Sequence, residues 1–206
     1  MKEQILLVGA FHEAVELCER CDLTIAGIFD KAWQGHFRGY PILGDDASAA
    51  QVPEHLKRIP VLLTPDQPGL RRRLAEHYRR LGFTFRSVIS PEARVARSAR
   101  LGQSLFIQSG CNVSAEVVLG DFARLNTLAN VMHDSTVGAF TTVAPNAVVL
   151  GKVTIGEDCY IGANATILPN LEVGAGAVVG AGAVVTKSVA AGTTVVGSPA
   201  RKLEKR

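Results

Sequence analysis

Counting every sixth residue from Ile89 gives Val95, Leu101, Ile107, Val113, Leu119, Leu125, Val131, Val137, Val143, Val149, Ile155, Ile161, Ile167, Val173, Val179 and Val185. All seventeen are Ile, Leu or Val. Those three types fill about a quarter of the chain, so one preset register would yield such a run by chance roughly once in 10^10 trials. A period of six matches neither the 3.6 of an α-helix nor a heptad. It is even, however, so the in-and-out alternation of a strand is preserved from one repeat to the next. Two residues before most anchors stands a small residue, as at Ala93, Ala99, Ala123, Ser135, Thr141, Ala165 and Ala183, and Gly follows many anchors directly. Each repeat therefore reads as a short strand and a turn, with the large aliphatic inward, the small residue beside it and Gly relieving the corner. Repeats of this length predict a parallel β-helix in which three repeats close one triangular coil. Residues 89–185 supply between five and six coils, followed by a tail.

The rest of the composition narrows the function. Aromatics are scarce at 6% against 20 Gly residues, which suits regular packing of small and aliphatic side chains. Charged residues make up 20% and the net charge is +3. That excludes the dense basic stripe of a dedicated nucleic-acid binder and leaves anionic small molecules as partners. Ile5 to Ala10 is too short for a membrane span and is followed at once by His12, Glu13 and Glu16. Neither membrane insertion nor a signal peptide is expected, and the cytoplasm is the expected location. Cys18 and Cys21 form one CxxC, while Cys111 and Cys159 stand apart. Zinc would need further ligands, so these cysteines read as structural and no metal is expected.

Upstream of the repeats the pattern changes. Gln4 to Gly9 reads as a buried strand, His12 to Cys21 as a helix and Leu23 to Phe29 as a second strand ending at Asp30, together a βαβ unit. Ile59 to Leu63 is a third strand, Gly69 to Leu81 a basic helix, and Phe83 to Val88 a last strand before Pro91. These elements predict a small parallel sheet over residues 1–88 and a β-helix domain with its tail over residues 89–206. Gly9-Ala10, with an acid some twenty residues on, echoes a dinucleotide fingerprint, but no GxGxxG is present and NAD is not expected.

The two halves together resemble the bacterial sugar O-acyltransferases of the sialic-acid O-acetyltransferase type. This branch of the hexapeptide-repeat acyltransferase superfamily includes nucleotide-amino-sugar N-acetyltransferases. The segments carrying the resemblance are Asn126 with Val131-Met132-His133-Asp134, then Gly138-Ala139-Phe140, Gly151 to Gly156, Tyr160 to Asn164, Leu168-Pro169-Asn170 and Gly197 to Arg201. In the first half they are Gly9-Ala10, His12, Phe29-Asp30 and Gly39 to Gly44. The resemblance covers nearly the whole chain. It implies that the β-helix is left-handed, against the usual right-handed crossover, and that residues 1–88 form a Rossmann-like nucleotide-sugar-binding domain. It also implies acetyl-CoA as donor, a nucleotide-linked sugar as acceptor, and a homotrimer with active sites between neighbouring subunits.

Acetyl transfer from a thioester needs a base for the acceptor's proton and donors for the developing oxyanion. His12, His36, His55 and His77 precede the repeats, and His133 is the one histidine within them. His133 is therefore the candidate general base. The resemblance makes Asp134 the acid that orients the imidazole. Adjacent strand residues point to opposite faces, so contact between the two requires a corner or a neighbouring subunit. The resemblance also places Asn126 near the active site as support and sets acetyl-CoA against Thr142, Gly151, Ala163, Ala181, Lys187 and Arg201, with Lys202 beside the last. The sugar nucleotide is set against Ala10, Phe11, His12, Asp30 and Lys31. An eighteen-residue coil stacks Pro145, Ala163, Ala181 and Pro199 in one row and His133, Gly151 and Pro169 in another. The small-residue row offers the pantetheine arm a shallow groove along the axis.

Three departures from the branch bear on the acceptor. Gly9-Ala10-Phe11-His12 is one residue shorter than the usual first loop and carries a bulky Phe, Thr64 to Gly69 lacks the usual Gly-Asn, and Thr142 replaces a second histidine. The expected activity is N-acetylation of a nucleotide-linked amino-deoxysugar in surface glycan biosynthesis. Sugar O-acetylation is the alternative, because one histidine serves both chemistries. A non-catalytic scaffold or binding module is the alternative of another class. A zinc-dependent hydratase on the same solenoid would need three histidines, which the repeats do not contain.

Overall fold

Ile5 to Val8 is a continuous apolar run, the pattern of a strand covered on both faces, and it forms an interior strand of a sheet. The chain is described over residues 2–204 in a computed structural model, and divides into two units, residues 1–91 and 92–206. The first unit contains β1 (Gln4–Val8), α1 (His12–Arg20), β2 (Thr24–Phe29), β3 (His36–Phe37), β4 (Tyr40–Gly44), α2 (Glu54–Lys57), β5 (Val61–Leu63) and α3 (Pro68–Arg80). Its sheet runs β3-β4-β2-β1-β5. Strand β1 pairs in parallel with β2 and β5, and β2 with β4. Helix α1 buries Ala14, Val15, Leu17 and Cys18 at helical spacing, and α3 brings Tyr78 within ring-contact distance of Phe29 and Phe83. Burial pushes the Cys18 thiol up to about 12 and raises Cys21 as well. Both remain protonated thiols at neutral pH, as structural cysteines do.

Two expectations for this unit need correction. The sheet is mixed, because β3 pairs with β4 in antiparallel fashion. Arg38 and Gly39 between them have φ of 50° and 86°, the two left-handed positions of a tight hairpin turn. The strand expected over Phe83 to Val88 shrinks to a single bridge between Val61 and Phe85 and a two-residue strand at Val88–Ile89.

In the second unit the strands from Arg94–Val95 to Val184–Val185 are each two residues long, and up to Thr166–Ile167 each pairs with the strand eighteen residues on wherever that strand exists. Val113 lies beside Val131, Val131 beside Val149, and Val149 beside Ile167. The anchors from Ile107 to Val185 are at most 1% exposed. Leu101 is 39% exposed, because its strand ends its sheet and stacks only on Leu119. Ser135 and Thr141 hold small-residue positions without leaving a polar atom stranded. Their hydroxyls donate to the Leu150 and Gly156 carbonyls at 2.9 and 2.7 Å.

The corners recur as strictly as the anchors. From Ser104 to Gly182, every sixth residue has φ near +60°, including Phe122, Leu128, Asp134, Lys152 and Asn164. Such corners cost free energy for any residue but Gly. A hydrogen bond to the previous coil offsets that cost. Asp134 N–H donates to Ala115 at 3.0 Å, Lys152 N–H to His133 at 3.0 Å and Asn164 N–H to Pro145 at 3.0 Å.

The eighteen-residue register does not survive to the tail. Val173 bridges Val189, and Val178 and Val179 pair with Thr194 and Val195, so the last coil is two residues short. The row expected to run from Ala181 to Pro199 passes instead to Gly197. Arg201–Lys202 then folds back antiparallel on Thr194–Val196.

Candidate active site

His133 and Asp134 occupy a corner, and the left-handed backbone of Asp134 (φ 58°) is what lets neighbouring side chains meet. His133 Nδ1 lies 2.8 Å from Asp134 Oδ2. This removes the objection that adjacent residues point apart. With a carboxylate as partner, Nδ1 carries the hydrogen and donates, and Nε2 keeps its lone pair as the acceptor. Both side chains are about half exposed, so the pair is within reach of a ligand.

The other residues expected at the site distribute over different edges of the triangular solenoid. Gly151 and Pro169 follow His133 along one edge, and Lys187 lies in the turn between Val185 and Val189, where the coil loses two residues. Ala163 and Ala181 lie at a different corner, in the row of Thr127 and Pro145, each one residue before the left-handed positions of which Leu128, Asn146 and Asn164 are examples. Asn126 immediately precedes that second corner, so within one chain it does not stand beside His133. Its Oδ1 accepts a 2.6 Å hydrogen bond from Arg124 Nε, and its carbonyl accepts from Cys111 Sγ. The Arg124 guanidinium lies 4.4 Å from the Phe106 ring centroid, and the residue is 2% exposed. Sequence reading missed Arg124; its signal was a charge at an outward strand position between Phe106 and Thr142. Thr142 is itself fully buried, so it is not presented to coenzyme A as expected.

At the end of the solenoid, Lys187, Arg201 and Lys202 line one cavity of about 370 Å3, floored by Val189 and Val195. Three cations around an apolar floor suit an anionic group attached to a flat or aliphatic body.

In the first unit the expected residues gather at the carboxyl ends of the parallel strands, where open α/β sheets bind ligands. Both Asp30 oxygens accept from main chain, Oδ2 from Ala10 N–H and Oδ1 from Ala32 N–H, each at 2.7 Å. Asp30 thus ties together the loops after β1 and β2. His12 lies against Phe37 with ring centroids 4.6 Å apart, and Trp33 meets the same ring edge-on at 4.8 Å. Phe11 is half-buried, and Lys31 is exposed. The unusual loop after β5 is also built in. Thr64 Oγ1 lies within 2.9 Å of the Val8 and Gly9 carbonyls, and buried Arg71 donates to the Pro65 and Asp66 carbonyls. Gly9 is required here, since a Cβ would come within 2.4 Å of Thr64 Oγ1.

Coils of six-residue rungs with a histidine–carboxylate pair on one corner are similar to acyltransferases built on hexapeptide repeats. Residues 152–187 match the bacterial transferase hexapeptide family (six repeats). No curated protein matches the chain. Among solved structures, GDP-perosamine N-acetyltransferase of Caulobacter crescentus, as a single-histidine variant in complex with CoA and GDP-perosamine, is 29% identical. The match covers 98% of this chain and 97% of that one, with a TM-score of 0.93. The acetyltransferase domain of PglB from Neisseria gonorrhoeae, in complex with acetyl coenzyme A, is also 29% identical over 98% of this chain and 100% of that one, with a TM-score of 0.89. The fold is therefore the left-handed parallel β-helix, preceded along the chain by a small sheet domain. Among the described residues, no helix is long and apolar enough to cross a membrane.

Proposed function

We propose that the chain transfers the acetyl group of acetyl-CoA to the amino group of a nucleotide-linked amino-deoxysugar in surface glycan biosynthesis, with His133 as general base. The observation that carries this reading is the half-exposed imidazole whose Nδ1 is held 2.8 Å from Asp134. As the amine nitrogen bonds to the thioester carbonyl, Nε2 takes the proton the nitrogen must lose, and Asp134 stabilises the resulting imidazolium. Collapse of the tetrahedral adduct breaks the C–S bond, and the imidazolium returns its proton to the departing sulfur. Atoms and charge balance without a covalent enzyme intermediate. The first-unit loops around Ala10, Phe11, His12, Asp30 and Lys31 hold the nucleotide, and the terminal cavity of Lys187, Arg201 and Lys202 meets coenzyme A phosphate. The 29% identity to a GDP-perosamine N-acetyltransferase over nearly the full chain supports the acceptor class.

The acting species is a homotrimer. His133 and the Ala163/Ala181 row occupy different corners, six residues of coil apart, on the order of 15 Å. A pantetheine arm lying along the alanine row of one chain meets a histidine only if a second copy supplies it. The direct test is to incubate the protein with acetyl-CoA and GDP-, UDP- and dTDP-linked amino-deoxysugars, following thiol release and the mass of the sugar. One acceptor should gain an acetyl group on nitrogen. Acetylation confined to hydroxyl acceptors would refute the amino-sugar reading, and no turnover with any acceptor would favour a scaffold.

A further inference from the structure

We infer that Gly151 is a positioning residue, glycine because its absent side chain is the seat on which the His133 imidazole lies. This rests on the general-base reading of His133. A Cβ built at Gly151 would stand 2.7 Å from His133 Nε2, 2.8 Å from Cε1 and 3.3 Å from Nδ1. Three ring atoms are involved, so the imidazole lies across the α-carbon rather than touching it with a tip. Its Nδ1 is tied to Asp134, and the ring cannot swing clear of an added methyl without straining that bond or moving Nε2.

Two comparisons within the solenoid separate this glycine from the rest. Gly120, Gly138, Gly156, Gly162 and Gly174 have no room for a Cβ because the main chain of the next coil passes within 2.6 Å. Those glycines serve coil stacking. At Gly151 the three nearest atoms all belong to one imidazole. Nor does the backbone demand glycine, because Gly151 is absent from the positive-φ positions that recur at the corners. The equivalent places in neighbouring coils carry Ala115, His133 and Pro169, so the row accepts side chains wherever no imidazole lies beneath. Lys152 N–H donates to the His133 carbonyl at 3.0 Å, which fixes the α-carbon of Gly151 over the ring.

The seat sets where the base points. With Nδ1 directed to Asp134 and the ring flat across Gly151, Nε2 faces toward the coils that lead to Lys187. Displacing a catalytic group by about 1 Å typically costs on the order of 100-fold in rate. Gly151→Ala should therefore lower kcat by about tenfold or more, while KM for acetyl-CoA stays within about twofold. In a His133→Ala background the same substitution should change kcat by less than about twofold, because no ring remains to displace. A wild-type kcat in Gly151→Ala would overturn the inference, as would an equal loss in both backgrounds. A rise in KM with kcat unchanged would make Gly151 a ligand contact instead. If Gly151→Ala is too unstable to assay, melting decides: removing the ring should raise the Tm of the double variant above that of the single, and an equal or lower Tm refutes the contact. Failure of the general-base reading shows separately, as wild-type kcat in His133→Ala alone.

Discussion

Asp134→Asn isolates the contribution of the carboxylate while leaving the corner intact, since Asn tolerates the left-handed φ of 58° as well as Asp does. The amide oxygen can still accept from Nδ1, so ring orientation is kept and only the charge is lost. At 2.8 Å a full charge pair in the protein interior would be worth several kcal/mol, but both side chains here are about half exposed. Exposed pairs are worth about 0.2–1 kcal/mol, and a short charge-assisted hydrogen bond lies at the upper end. Taking about 1 kcal/mol as the stabilisation of imidazolium in the transition state, kcat should fall roughly fivefold. His133→Ala, which removes the base, should cost about 10^2 to 10^4. Steady-state assays of both variants on the same acceptor, at saturating acetyl-CoA, measure the ratio. If Asp134→Asn loses as much as His133→Ala, the carboxylate does more than orient and stabilise. If it loses nothing, the 2.8 Å contact is irrelevant to the reaction.

Two further outcomes are expected. Ala181→Trp should abolish coenzyme A binding by calorimetry, yet subunits of this variant mixed with His133→Ala subunits should regain about a quarter of the sites if each site joins two chains of a trimer. Two inactive variants that stay inactive in verified mixed trimers would place the whole site in one chain. Trp33 is the only tryptophan, and its contact with Phe37 sets it beside the loop of Asp30 and Lys31; titration with the accepted nucleotide sugar should change its emission saturably, and an unchanged spectrum at saturation would move the nucleotide away from these loops.

The repeat was legible because solenoid packing imposes one requirement, an aliphatic anchor, at a strict interval, and Val131, Val149 and Ile167 meet it in successive coils. His133 stood out because no other histidine falls within the repeats. The corner that joins it to Asp134 was not legible, since Asp134 shares its left-handed backbone with Phe122, Leu128 and Lys152, residues with no turn preference of their own. Stacking hydrogen bonds, not local propensity, hold them there. The same override hid the fate of Thr142 and Asn126. Outward strand positions read as exposed, whereas Phe106, Arg124 and Thr142 form a buried outward column. The slip from eighteen to sixteen residues left the spacing of valines at 179, 185, 189 and 195 as its trace. The hairpin at Arg38-Gly39 was missed because its strand β3 is only two residues long.

Because each corner is hydrogen-bonded to the coil before it, length along this protein comes in indivisible steps. Asp134 N–H reaches back to Ala115, Lys152 to His133 and Asn170 to Gly151, so a site moves along the axis by a whole coil or not at all. The axial distance along the alanine row is thus counted in coils and does not drift by fractions of an ångström as loops lengthen or shorten. A donor with a longer or shorter handle would be accommodated only by inserting or deleting a whole coil, a change of about 4.8 Å each time. The solenoid is in that sense a gauge block, and the coil count along the alanine row is its setting.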